Sequence, residues 1–231
     1  MLARRKNEPH FMASDIVHDI VIGMSDGLTV PFAIAAGLSG AHVAPHVVII
    51  AGLSEIAAGS ISMGLGGYLS GQTDLEHYES ERQREIQETE DVPEQEAQEV
   101  RTILDDLGLE EDEAEPVVEA LKRDRENWVD FMMRFELELE KPDPRTALRS
   151  GVIIGLSYAI AGFIPLGPYF FVSPVSRALY VSAGVTLLAL VIFGYVRGRL
   201  LGVDAWRSAG QTLVVGGLAA GAAFGLARLI G

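Results

Sequence analysis

The stretch "DIVIGMSDGLTVPF", residues 19–32, sets two carboxylates, Asp19 and Asp26, into a run of apolar and small residues. Extended on both sides, the run covers about residues 17–40. That is enough to span a membrane, because roughly 20 helical residues cross a hydrocarbon core about 30 Å thick. Four more runs have this length and character, at about 47–70, 149–171, 176–196 and 209–230. The expected fold is therefore all-α, a polytopic membrane protein with five transmembrane helices. Residues 1–16 form a tail, 17–70 carry the first two spans, 71–144 form an insertion, and 145–231 carry the last three spans.

Charge is distributed as unevenly as hydropathy. Residues 72–144 hold 26 of the 32 Asp and Glu but only 8 of the 18 Lys and Arg, so the formal charge of −14 is concentrated there. The rest of the chain is mildly basic. Such a segment excludes nucleic acid as a partner, since phosphate binding needs clustered Lys and Arg, and it favours cations. There is no cysteine. Disulfides and thiolate metal sites are thus excluded, and any metal must be held by oxygen, imidazole or thioether.

Orientation is read from the basic residues at the span ends. Arg4, Arg5 and Lys6 precede the first span, Arg145 and Arg149 precede the third, and Arg197, Arg199 and Arg207 lie between the fourth and fifth. All of these fall on one side, the expected cytoplasmic side. The 41–46 loop has no Lys or Arg, the 172–177 connection has Arg177 alone, and Arg228 near the C-terminus is placed to snorkel. This puts the N-terminus inside. "MLARRKNEPHF" lacks the apolar core and small-residue cut site of a cleavable signal, so it reads as a mature cytoplasmic tail.

Past Gly71 the second span meets no strong breaker until Val92-Pro93, so its helix is expected to run on into the insertion. A second helix is expected from Glu94 to Leu107, ended by Gly108, and a third from about Asp112 to Glu140, ended by Pro142 and Pro144. The insertion is expected to be a three-helix, cytoplasmic, metal-binding domain.

The intramembrane acids carry the functional signal. Asp19 and Asp26 are seven residues apart and share a helix face, about 10 Å apart along the axis. A charged Asp at mid-membrane costs about 2.5–3.5 kcal/mol even on the lenient insertion scale, so such a residue usually faces a polar path. Asp19, nearer the span end, is equally explained by solvation at headgroup level. Gly23 and Gly27 let another helix approach, and Pro31 cannot donate to the Gly27 carbonyl. On the second span, "SEIAAGSISMGLGGYLS", residues 54–70, places Glu55 and Met63 two turns apart. Met63 by itself would be core filler; beside carboxylates it becomes a candidate soft ligand. No basic residue within the spans neutralises Asp26 or Glu55. They must either hold protons or bind a cation, and alternation between those states is what proton-coupled cation transport requires.

The insertion adds a second constellation. Glu85 and Glu88 form an E-x-x-E pair on the projecting helix, Glu96 and Glu99 form another, and Glu136 follows Met132 and Met133 at helical spacing. Helices presenting carboxylates inward are how bundle cores build di-metal sites. Oxygen with thioether suits Fe²⁺ or Mn²⁺ better than Mg²⁺ or Ca²⁺. Any one pair in so acidic a segment has a simpler explanation as solvated surface, and Glu110, Glu111, Asp112, Glu113 and Glu115 are read that way.

Together, "DIVIGMSDGLTVPFAIAAGLSG", the second span quoted above, and the insertion with "REIQE", "EAQEV" and "FMMRFELELE" resemble the vacuolar iron transporter family over nearly the whole chain. The resemblance implies a homodimeric carrier in the lipid bilayer that moves Fe²⁺, and often Mn²⁺, out of the cytosol in exchange for protons. Co²⁺ and Zn²⁺ are further candidate ions, none is a prosthetic group, and no enzyme activity is implied. It further implies metal-binding roles for Glu85, Glu88, Glu96, Glu99, Met132, Met133 and Glu136, and pathway roles for Asp19, Asp26, Glu55 and Met63. The short termini suggest a bacterial member in the inner membrane; a eukaryotic one would sit in the vacuolar membrane.

Two other classes compete. A membrane-bound di-iron enzyme would normally bring E-x-x-H pairs, and His77 is not so placed. A metal sensor or storage protein would need the insertion without the intramembrane acids. His42 and His46 in the outer loop read as solvated. Gly217, Gly221 and Gly225 supply a helix-packing face on the last span, within a subunit or across a dimer.

Overall fold

The computed structural model describes residues 9–41 and 43–230, with side chains from residue 15 onward. Arg4, Arg5, Lys6 and His42 lie outside the described residues. Eight helices follow one another with no strand among the described residues: α1 (Pro9–Gly40), α2 (Pro45–Asp91), α3 (Pro93–Asp106), α4 (Glu111–Arg123), α5 (Arg125–Phe135), α6 (Pro144–Phe171), α7 (Val175–Leu200) and α8 (Ala205–Ile230). Five of them, α1, α2, α6, α7 and α8, are long and apolar enough to cross a membrane. The contacts divide the chain into two units, Met1–Leu69 with Ala147–Gly231, and Ser70–Thr146.

In the first unit the helices meet through small residues. A Cβ on Gly23 would strike the Ile154 carbonyl of α6, and one on Gly64 would come 2.9 Å from the Gly151 carbonyl, so α1 and α2 both lie nearly backbone to backbone with α6. Such approach lets dispersion do the packing where no water drives association. Between them sit Ala35, Val48, Ile56, Leu166, Tyr169 and Ala178, drawn from α1, α2, α6 and α7. α8 packs on α7 through Gly216 against Leu190, and on α1 through Ala223 against Gly37. The Gly217, Gly221 and Gly225 face meets nothing within the chain: a Cβ at any of the three would enter open space. The outward surfaces of the long helices are lined by large apolar side chains such as Ile61, Ile160, Leu188 and Leu218, each more than 60% exposed, as lipid contact requires. Pro31 does not interrupt α1, which remains helical around it.

The second unit contains the end of α2 with α3, α4 and α5. α2 ends at Asp91, before Val92-Pro93, as the sequence predicts. α3 ends as Gly108 enters the left-handed region at φ 90°. The Gly108 N–H donates to Asp105 and the Leu109 N–H to Leu104, a Schellman closure sealed by Leu104 and Leu109 in one apolar cluster. The single helix expected over 112–140 is instead two. Asp124 breaks it: its backbone is extended, its N–H closes α4 onto Leu121, and its side chain accepts the Asn127 N–H to cap α5. Asp prefers this cap geometry to a helix interior because its short carboxylate competes for nearby N–H groups. Helix also stops at Phe135, five residues earlier than predicted, and Glu138 adopts a positive φ of 54°.

Candidate functional site

Glu85 on α2, Glu96 on α3 and Glu136 at the C-cap of α5 bring carboxylate oxygens within 4.8 Å of one another. Each is delivered by a different helix, and the apolar clusters hold those helices in register. Ala97 and Val100 of α3 pack with Trp128 and Met132 of α5, while Tyr78 of α2 packs with Val129 and Met133. Glu85 and Glu96 are buried, at 1% and 3% exposure, and Glu136 is exposed, so the trio opens to solvent on one side only.

The electrostatics of this trio are unbalanced. Arg84 is the basic neighbour: its Nη2 lies 3.8 Å from Glu85 Oε1 and its Nε 3.5 Å from Glu88 Oε2. Oε2 of Glu85 and Oε2 of Glu96 are buried with no hydrogen-bond partner. Burial pushes the Glu85 carboxyl up to about 7, with the charges of Glu136, Glu96 and Glu88 adding to the effect and Arg84 opposing it. Burial likewise pushes Glu96 up to about 7, helped by Glu99, Glu136 and Glu88. Glu136 rises too, by burial and then by the charges of Glu99 and Glu88. At neutral pH the cluster therefore holds protons that a divalent cation would displace. Three oxygens spread evenly around an ion at about 2.1 Å are about 3.6 Å apart, so a trio within 4.8 Å must draw in by up to about an ångström to chelate one.

All five predicted glutamates thus share one electrostatic neighbourhood, Glu88 and Glu99 through their charges on the trio. Met132 and Met133 sit differently. Both are fully buried, in two separate apolar clusters, where each fills space between helices. The solvated reading of the acidic turn fits Glu113, whose carboxylate accepts the Glu110 N–H at the start of α4.

A second group lies in the spans. Tyr158 of α6 donates its phenol O–H to Glu55 Oε1 on α2. Its ring lies on Gly59, where a Cβ would come 2.6 Å from the ring carbons. A Cβ on Gly27 of α1 would strike the Tyr158 backbone, and Asp26 is near enough to act electrostatically on the phenol. The two glycines therefore let Tyr158 lie close against both α1 and α2, bonded to Glu55 and within electrostatic reach of Asp26. Glu55 Oε2 is buried and without a partner, and so is Oδ2 of Asp19, which is 5% exposed. Asp26 is exposed in the single chain. The ion pair among the described residues of this unit is Arg149 with Asp15, at 3.9 Å, and it involves none of these acids. Asp19 stands two turns from Asp26 along α1, and Met63, half-buried, two turns from Glu55 along α2. Sequence reading missed Tyr158. Its signal was a tyrosine at the centre of an apolar span, since Tyr and Trp favour the membrane interfaces.

The VIT family matches residues 17–228. The chain is 51% identical over 223 residues to vacuolar iron transporter 1 of Oryza sativa subsp. japonica, covering 96% of this chain and 88% of that one. It is 52% identical to vacuolar iron transporter 1 of Arabidopsis thaliana, covering 96% and 89%. Protein CCC1 of Saccharomyces cerevisiae is 38% identical over 224 residues, covering 94% and 69%. These relatives are plant and fungal. The bacterial, inner-membrane expectation is not borne out: it rested on short termini, which carry no information about the cell of origin.

Proposed function

This chain belongs to the VIT family, and from that premise we propose that it carries Fe²⁺, and Mn²⁺ with it, out of the cytosol into a vacuole in exchange for protons. The observation that carries the proposal is the pair Asp26 and Glu55, both interacting with Tyr158 in membrane-spanning helices and, among the described residues, with no basic partner. Acids at membrane depth without counterions are costly unless they alternate between protons and a cation.

The acidic unit faces the cytosol, on the side of Arg145, Arg149, Arg197, Arg199 and Arg207. There Glu85, Glu96 and Glu136, assisted by Glu88 and Glu99, exchange their protons for a divalent ion. In the membrane, the Tyr158 phenol fixes one oxygen of Glu55 and leaves the other for a proton or the ion, with Asp26 completing the charge. Asp19 and Met63, each two turns further along, extend the row of ligands. Protons arriving from the vacuolar side displace the ion and reset the acids. Asp26, exposed in one chain, would cost about 2.5–3.5 kcal/mol against lipid, and a second copy covering it removes that cost. The carrier is accordingly a homodimer.

Purified protein reconstituted into vesicles tests this. Fe²⁺ uptake that depends on an imposed pH gradient and is lost in Asp26→Ala is expected; uptake indifferent to the gradient, or intact in Asp26→Ala, overturns it. The relatives are named transporters, and no histidine joins the trio among the described residues, which disfavours the di-iron enzyme.

A further inference from the structure

A groove of about 340 Å³ lies between α1, α6 and α7, bounded by Met24, Leu28, Ile164, Ala189 and Ile192, and at one end by Arg197. Every lining side chain except Arg197 is apolar. It runs along α7 from Ala189 to Leu200, about 16 Å of helix, and is open on its outer side, where Ile192 is 56% exposed.

Arg197 is the discordant member. Its Nε is buried with no hydrogen-bond partner, as is that of Arg149, but among the described residues Arg197 joins no ion pair, whereas Arg149 in the same unit is paired with Asp15. Arg197 is half-buried, so the rest of its guanidinium reaches the surface, where its fork of N–H donors matches a phosphate supplied from outside the chain. Arg197 is also three residues from the end of α7, close in sequence to Arg199 and Arg207, at the depth where long basic side chains reach headgroups.

We propose that this groove binds an anionic glycerophospholipid, one acyl chain lying along Met24, Leu28, Ile164, Ala189 and Ile192 and the phosphate seated on Arg197. A free phosphate would satisfy Arg197 but leave the apolar length unfilled; a diacylglycerol, which has no phosphate, would do the reverse. The site is separate from the acids of the spans. On α1, Asp26 is two residues from both Met24 and Leu28, about 200° around the helix, so groove and carboxylates occupy opposite faces. The proposal does not rest on the transport reading.

The test is native mass spectrometry of the full chain in mild detergent, equilibrated with phosphatidylglycerol and the diacylglycerol of identical acyl chains, which lacks the phosphate, in equal amounts. The expected result is a retained phosphatidylglycerol adduct favoured roughly tenfold, the scale of one charge-assisted hydrogen bond. Arg197→Gln should abolish the preference and Arg207→Gln should leave it. Ala189→Phe, which fills the groove and keeps Arg197, should remove the adduct and guards against a folding defect peculiar to the arginine variant. Equal retention of the two lipids by the unaltered protein, a preference surviving both Arg197→Gln and Ala189→Phe, or an equal loss in Arg207→Gln would each overturn the assignment.

Discussion

Acidifying the medium from pH 8 to pH 6 should strip the carboxylate trio of its affinity for divalent metal. Glu85 and Glu96 both titrate at about 7, so each carries a proton most of the time at pH 6 and rarely at pH 8. An ion must displace those protons, so each carboxyl weakens apparent binding about tenfold over this interval and the two together about a hundredfold. That is a loss of about 2.7 kcal/mol. Near pH 7 the pair shares its protons, and about one should be released per ion bound. Titration calorimetry with Mn²⁺ in buffers of different ionisation enthalpy reads both quantities. A Glu55→Gln background silences the membrane site while leaving the acidic unit unaltered. Glu85→Gln should reduce the dependence to about tenfold, since of the two carboxyls at about 7 only Glu96 remains. Affinity flat between pH 6 and pH 8, or an undiminished dependence in Glu85→Gln, would refute the reasoning that protons and metal compete for these oxygens.

The same groups bear on stability with a definite sign. Their carboxyls are raised in the folded state, so the metal-free fold binds more protons than the unfolded chain between about pH 4.5 and about 7. Thermal scans of the metal-free protein should show the acidic unit losing stability as pH rises through that window, with Mn²⁺ restoring it; a metal-free unit that gains stability there contradicts the assignment. Tyr158→Phe removes a hydrogen bond to a carboxylate, a loss of about 1.5–3 kcal/mol, and should slow Fe²⁺ flux by ten- to a hundredfold in vesicles; unchanged flux would leave Tyr158 with a packing role only. Met132→Leu preserves volume in its cluster and should cost less than about 1.5 kcal/mol with Mn²⁺ affinity unaltered; a fall in affinity would show the sulfur to be a ligand. Asp124→Ala deletes the α5 cap and should lower stability by about 1 kcal/mol, measured by denaturant midpoint.

The five spans, their approximate limits and the acidity of the insertion were legible in the chain itself, because length, continuous apolar character and charge segregation are one-dimensional properties. So were the end of α2 at Val92-Pro93 and the glutamates of the insertion, which lie at helical spacing. Other features required three dimensions. Asp124 carries only a weak local mark: Asp favours N-cap positions, but it is also tolerated inside helices, and it acts as a cap here because the next helix must turn toward its packing partners. Met132 and Met133, adjacent in sequence and so alike as candidate ligands, enter different apolar clusters because neighbouring residues on a helix point about 100° apart. Glu136 follows the last residue of α5, and only the docking of three helices brings it to Glu85 and Glu96. Tyr158 is separated from Glu55 by 103 residues. Its role arises from glycines on two other helices that admit its ring and backbone, a contact that no spacing along the chain encodes. Sequence determined which residues had to be apolar or charged; tertiary packing decided which of the acids met, and what lay against them.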